Sequence, residues 1–341
     1  MKDARKHPEL LVAECTESQL RQYTDAAAAY RHYLDALKEA GEVRGSMYWR
    51  TSKGKRYLIR TSATGAQHSL GPDSAENRAI HERFVARKER AERTLRARKD
   101  KLEEMRKLNR VFQVGRTPAI VVDLLSALHG AGIAEQFLVV GTHAMYAYES
   151  ACGVRVDGGT LATRDLDLLF DTRQRLSFVT TLARRNESLI GVLRKADSSF
   201  KVLDDQKQTA VNADGFEVDI IRRQARDEDP HPLAMSDNEE DFWAVQVDSG
   251  NRLVSSRPFR QMVVDTRGRM ALMHTIHPLD FAAVKERLGV SPSREAIKAP
   301  KDLLQASVAR HLWDAYLRHT HGPALGAEQA ADRGDTSPAS G

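Results

Sequence analysis

The chain has 341 residues, of which 41% are hydrophobic and 29% charged, with a net charge of +5, the balance of a water-soluble protein with one large or two ordinary domains. Its 2 cysteines, Cys15 and Cys152, lie far apart and no Cys/His spacing suits zinc, which excludes a disulfide scaffold or structural zinc module and points to a reducing, cytoplasmic setting. The opening MKDARKHPELLVAEC lacks an apolar leader and no later run is long enough for a bilayer, so neither secretion nor membrane spanning is expected.

In chain order, Thr16 and Gln19 have capping-box spacing. Leu20, Tyr23, Ala27, Tyr30, Leu34 and Leu37 then recur at steps of three and four, so a helix is expected until Gly41. MYWRTSKGKRYLIRTS alternates on both sides of Lys53-Gly54 and predicts a β-hairpin. Asp73 and Glu76 are the expected caps of a long helix reaching about Phe112, with Ile80, Phe84, Ala91, Leu95, Leu102 and Met105 on a heptad-like seam. These helices read as an antiparallel arm with a β element at its tip, and the coiled-coil-like seam makes self-association an expectation.

Thr117-Pro118 is expected to open the next helix, AIVVDLLSALHGAG, with Thr as cap. QFLVV reads as a strand, THAMYAYES as a short helix, RDLDLLFD as a strand and TRQRLSFVTTLARRN as a helix capped by Asp171. TAVNADGFEVDII and RQMVVDTRGRMALMHTI each read as strand, turn and strand. Two amphipathic helices, PLDFAAVKERLG and PKDLLQASVARHLWDAYLRH, follow. Between the two strand-turn-strand segments, RDEDPHPLAMSDNEEDFW reads as an acidic surface loop. The expected divisions are a basic helical arm over 1–116, a core over 117–225, a C-terminal extension with helices over 226–321 and a disordered tail over 322–341.

Charge is unevenly spread. Glu42 to Arg116 carries about 20 Lys and Arg against about 9 Asp and Glu, so the rest of the chain is mildly acidic. A basic arm suits either a solvated helix face or a polyanionic partner.

The chemistry centres on Asp165 and Asp167. In a strand, i and i+2 share a face, so two carboxylates stand together while Leu166 and Leu168 face the core. Like charges repel there unless a cation intervenes. Mg²⁺ suits, because it prefers carboxylate and phosphate oxygens. A third carboxylate, Asp219, alternates with Val218 and Ile220. Upstream, LVV runs into Gly141-Thr142 at a helix start, where backbone N–H groups can face a phosphate. An Asp-x-Asp also serves sugar-nucleotide glycosyltransferases, but the Gly-Thr turn and Asp219 argue against that class. Walker, dinucleotide, Gly-x-Ser-x-Gly and His-Glu-x-x-His motifs are absent.

LVVGTHAMYAYESACGV, TRDLDLLFD and FEVDII together resemble the DNA polymerase beta-like nucleotidyltransferase superfamily, and within it a bacterial group with the GTHA…TRDLDLL pattern. The resemblance implies an α+β fold, a small mixed sheet flanked by helices, with the arm and the helical C-terminal part added to it. It implies transfer of an NMP from an NTP to an acceptor hydroxyl on RNA, protein or a small molecule. A catalytically silent nucleotide- or RNA-binding module using the basic arm is the alternative. Asp165, Asp167 and Asp219 would be catalytic and would hold two Mg²⁺ ions. Gly141, Thr142, Arg164 and Lys285 would bind the NTP. Thr142 stands where the superfamily usually has Ser or Gly. His143 reads as a helix-start residue, and Lys301, Asp302 and Gln305 as capping and packing.

Overall fold

Local capping and turn chemistry account for the arm. The structure, a computed structural model, describes residues 7–225, 229 and 232–321. A short strand β1 (Val12–Glu14) precedes helix α1 (Glu17–Glu42), which opens on the expected capping box. The Gln19 N–H donates to the Thr16 hydroxyl at 3.3 Å and the Thr16 N–H to the Gln19 side chain at 3.0 Å. Strands β2 (Ser46–Ser52), β3 (Lys55–Thr61) and β4 (Gln67–Pro72) form a three-stranded antiparallel sheet. Lys53 and Gly54 both take positive φ, 49° and 73°, as a two-residue hairpin turn requires. The third strand escapes the sequence pattern because QHSLGP has one large apolar residue.

Helix α2 (Ala75–Val111) is about 55 Å long at 1.5 Å per residue. Its cap is Ser74, which accepts from the Asn77 N–H at 3.1 Å. Asp73, the expected cap, instead pairs with Arg78 at 2.6 Å. The two helices run antiparallel: Gln22 meets Asn109 at 2.9 Å, and Glu42 meets Arg87 nearer the tip. At its base the arm packs Ala26, Tyr30 and Met105 against Met262 and Val264.

The later strands and the α-helices of at least five residues begin with α3 (Ala119–Ala131), β5 (Phe137–Val140), α4 (Met145–Cys152), β6 (Val154–Val156), β7 (Asp165–Phe170), α5 (Arg175–Arg185) and α6 (Leu189–Leu193). Then come β8 (Lys201–Val202), β9 (Thr209–Val211), β10 (Glu217–Arg222), β11 (Leu233–Ala234), β12 (Trp243–Gln246), α7 (Gly250–Ser255), β13 (Pro258–Val264), β14 (Met270–Ile276), α8 (Pro278–Gly289) and α9 (Ala299–Leu312). Thr117 is not the cap of α3. Its N–H bonds the Val264 carbonyl, and Pro118 takes the cap position without a side-chain bond.

The main sheet runs β11-β12-β10-β7-β5-β14-β13, with β9 also on β10 and β8 on β9. Strand β7 pairs β10 in parallel and β5 antiparallel, so the sheet is mixed, and helices flank it. This is the expected α+β fold. Strands from 226–321 lie in the same sheet as those from 117–225, and one hydrophobic core spans both stretches. The expected tail over 322–341, and positions 226–228 and 230–231 of the acidic loop, lie outside the described residues. Among the described residues no helix is long and apolar enough to cross a membrane.

Candidate active site

Strand alternation and register assemble the carboxylates. Leu166 and Leu168 are fully buried, so Asp165 and Asp167 share the opposite face of β7. Asp167 lies directly across from Asp219 on β10 and from Val140 on β5. The next residue, Gly141, adopts φ 68° and ψ −160°, a region open only to glycine. A Cβ there would stand 1.9 Å from the Asp167 carboxylate, so the backbone lies directly against that acid.

Three acids this close, half out of water, resist ionising together. Burial, then the charges of Asp165 and Asp219, pushes the Asp167 carboxyl up to about 7, with Lys285 and Arg294 pulling the other way. Burial also raises Asp219, against a 2.5 Å hydrogen bond from the Thr209 hydroxyl, and Asp165 adds to the rise. The Thr163 hydroxyl donates to Asp165.

The acids open onto a cleft of about 1080 Å³ lined by Gly141, Thr142, Asp165 and Asp167 on one side. On the other stand five cations, Lys285, Arg287, Arg294, Lys298 and Lys301, from α8, α9 and the loop between them. The buried Asp302 takes Lys285 at 2.8 Å and Arg294 at 2.6 Å, which fixes both against the cleft. Farther along, Ile221, Leu253, Phe281, Val284 and Leu288 give apolar walls, edged by Gln224, Gln246 and Asp248. Such a cleft can hold cations on its floor, phosphates against its basic wall and a flat ring beyond.

The structure brings Asp165, Asp167, Asp219, Gly141, Thr142 and Lys285 to this region. Arg164 does not join them. It stands next to Asp165 in sequence and reaches away from the cleft, donating to the Asp214 carbonyl beside a second hollow lined by Asp123, Asp197 and Arg267. His143 is buried between Tyr146 and Phe216, and burial lowers it to about 4, so it is a neutral packing residue.

Gln305 has a larger part than capping. It donates to the Thr142 hydroxyl at 3.1 Å and to the Thr160 carbonyl at 2.8 Å, which fixes the turn above the acids. Lys301 lies one helical turn before it and bonds the Ala162 carbonyl. Their i,i+4 spacing was the available signal, since it puts both on one helix face. Arg294 and Lys298 sit in a loop, where no periodicity marks them.

The donor chemistry suits a hard divalent cation, and the Asp167 carboxyl, raised by burial and then by its acidic neighbours, marks the cost of charge that such a cation would offset. Among the described residues no group of three His, Cys, Asp or Glu side chains stands ready to hold a metal ion. Asp165 and Asp219 are each engaged by a threonine hydroxyl, so binding exchanges those bonds for the metal.

Compared with known families, residues 119–324 match the family model described as Nucleotidyltransferase. No curated protein and no solved structure matches the chain.

Proposed function

The chain belongs to the nucleotidyltransferase family, matched over more than half of its length, and from that premise we propose that with Mg²⁺ it moves an NMP from an NTP to an acceptor hydroxyl, the hydroxyl oxygen bonding the α-phosphorus as the bond to the β-phosphate breaks and pyrophosphate leaves. The observation that carries this reading is the cleft that sets Asp165 and Asp167, with Gly141 against them, opposite a wall of five cations. Asp165, Asp167 and Asp219 would hold the ions, two in all. When bound, Mg²⁺ supplies charge stabilisation at the attacking and leaving oxygens of an in-line displacement.

The protein's own groups do the rest. Gly141 lets the chain approach the phosphates without a side chain between. Thr142, held by Gln305, keeps the turn in place. Lys285 and Arg294, anchored on Asp302, oppose the negative charge of the triphosphate. Asp219 would also help to take the proton of the acceptor hydroxyl.

Nucleotide binding is tested by thermal melts with Mg²⁺ and each NTP. At 100 times Kd, a bound nucleotide adds about 2.7 kcal/mol of stability. One NTP should stabilise the wild type, only with Mg²⁺, and should leave Asp167→Asn unmoved. Equal stabilisation of the variant removes the assignment of the floor acids.

A further inference from the structure

From Val43 to Pro72 the chain carries six Lys and Arg and no Asp or Glu. These residues form the tip sheet of the arm, β2 to β4. Arg44, Arg50, Lys53 and Lys55 are exposed there and make no ion pair among the described residues. Arg56 caps the face of Trp49 at 5.1 Å and meets Asp73 only at 3.7 Å.

Outside this stretch 46 Lys and Arg nearly balance 47 Asp and Glu, so an acid-free cationic tip beside the basic α2 concentrates positive potential on the arm. Aromatic rings are interleaved with the charge. Tyr48 and Arg50 share a face of β2, and Tyr57 lies directly across from Arg50 on β3. Tyr48 is 36% exposed and Tyr57 half-buried. Cations beside open aromatic faces suit phosphates and the bases attached to them.

The arm's length narrows the ligand. The tip stands about 50 Å along α2 from Asn109, which holds the core through the Gly268 carbonyl at 3.1 Å. A small acceptor cannot touch both the tip and the acids. A ligand that does has a body tens of ångströms long and an end free to enter the cleft. Folded RNA has both, and its ends carry hydroxyls, whereas long duplex DNA has few ends.

We infer that the tip sheet is a docking surface for folded RNA, held by Arg44, Arg50, Lys53, Lys55 and the Tyr48–Tyr57 face, and that such an RNA is the acceptor of the transfer proposed above. This rests on that reading for the acceptor role, but the docking surface stands on the tip itself.

The experiment measures binding of a fluorescent, folded hairpin RNA of about 70 nucleotides to the full chain by anisotropy across a salt series. A DNA hairpin of the same sequence and phosphatidylserine-containing vesicles are run beside it. The triple variant Arg50→Ala/Lys53→Ala/Lys55→Ala removes three exposed charges. The log affinity against log salt slope should fall by about 2.7, and the affinity near 0.1 M salt by about 500-fold. Lys53→Ala/Lys55→Ala, confined to the turn and the residue after it, should give about two-thirds of the slope change and guards against misfolding of the triple variant. Stabilisation by Mg²⁺–NTP should be the same in both variants, which separates loss of docking from failure of the nucleotide site. The inference is overturned if wild type does not bind the RNA, if the variants bind it like wild type, or if DNA or vesicles are held as tightly.

Discussion

Replacing Asp167 by Asn should make the protein without metal more stable at neutral pH, while abolishing transfer. The cause is burial, to which the charges of Asp165 and Asp219 add, and together they raise its carboxyl from the ordinary 3.8 to about 7. An acid whose folded pKa is raised holds its proton more tightly in the folded state. Its stabilising share is complete below about 4 and is lost as pH rises towards 7. At 1.36 kcal/mol per unit, the three-unit rise corresponds to about 4 kcal/mol across the whole window, and about 2.6 kcal/mol of that falls between pH 5 and pH 8. Asn keeps the shape and carries no charge, so this share of the pH dependence disappears. The assay is urea unfolding at pH 5 and pH 8 without divalent cations. Wild type should lose about 2 to 3 kcal/mol more than Asp167→Asn on going from pH 5 to pH 8. Mg²⁺ at pH 8 should recover much of the loss in wild type only. Parallel pH profiles for the two proteins would refute the argument that burial and the neighbouring acids together hold the Asp167 carboxyl protonated.

Other substitutions probe the surrounding parts. Gly141→Ala combines a left-handed backbone with a Cβ 1.9 Å from the Asp167 carboxylate. It should lower the melting temperature by the equivalent of about 1–3 kcal/mol and remove Mg²⁺–NTP stabilisation; a variant that melts and binds normally contradicts that geometry. Asp302→Ala strands the buried Lys285 and should cost about 3–5 kcal/mol in denaturant unfolding, whereas Lys285→Met/Asp302→Leu should recover most of it. Both should weaken nucleotide binding, and a double variant no more stable than the single would show that Arg294, the second partner of Asp302, carries the loss. Gln305→Ala breaks bonds to Thr142 and Thr160 inside the protein and should cost about 1–3 kcal/mol by the same unfolding measurement.

Elements with strong periodicity were legible in the sequence, together with the acids. The Asp165-x-Asp167 alternation works because Leu166 and Leu168 must both face the core, which leaves the carboxylates one choice of side. Asp219 follows from the same rule, and parallel pairing then places it across from Asp167. What was not legible depends on the third dimension. Strands β11 and β12 and the helix Leu189–Leu193 are too short to show a period. Ser74 displaces Asp73 as a cap because Arg78 claims the carboxylate. Arg164 points away although its neighbour Asp165 lines the cleft, and the cations at 294 and 298 lie in a loop that only the fold brings opposite the acids. Lys301 and Gln305 were visible as a helix face, but nothing in one sequence says which face meets Gly141-Thr142.

The central claim is transfer of a nucleotidyl group by the floor acids, and the most direct measurement follows the α-phosphate. Purified protein, Mg²⁺ and each NTP labelled in turn at the α- or γ-phosphorus are incubated with size-fractionated cellular RNA, protein and small molecules. The account predicts covalent labelling of one acceptor class from an α-labelled NTP and none from the γ-labelled form, with loss of several orders of magnitude in Asp165→Asn and Asp167→Asn. Labelling from the γ-position, or undiminished labelling by Asp167→Asn, would contradict it.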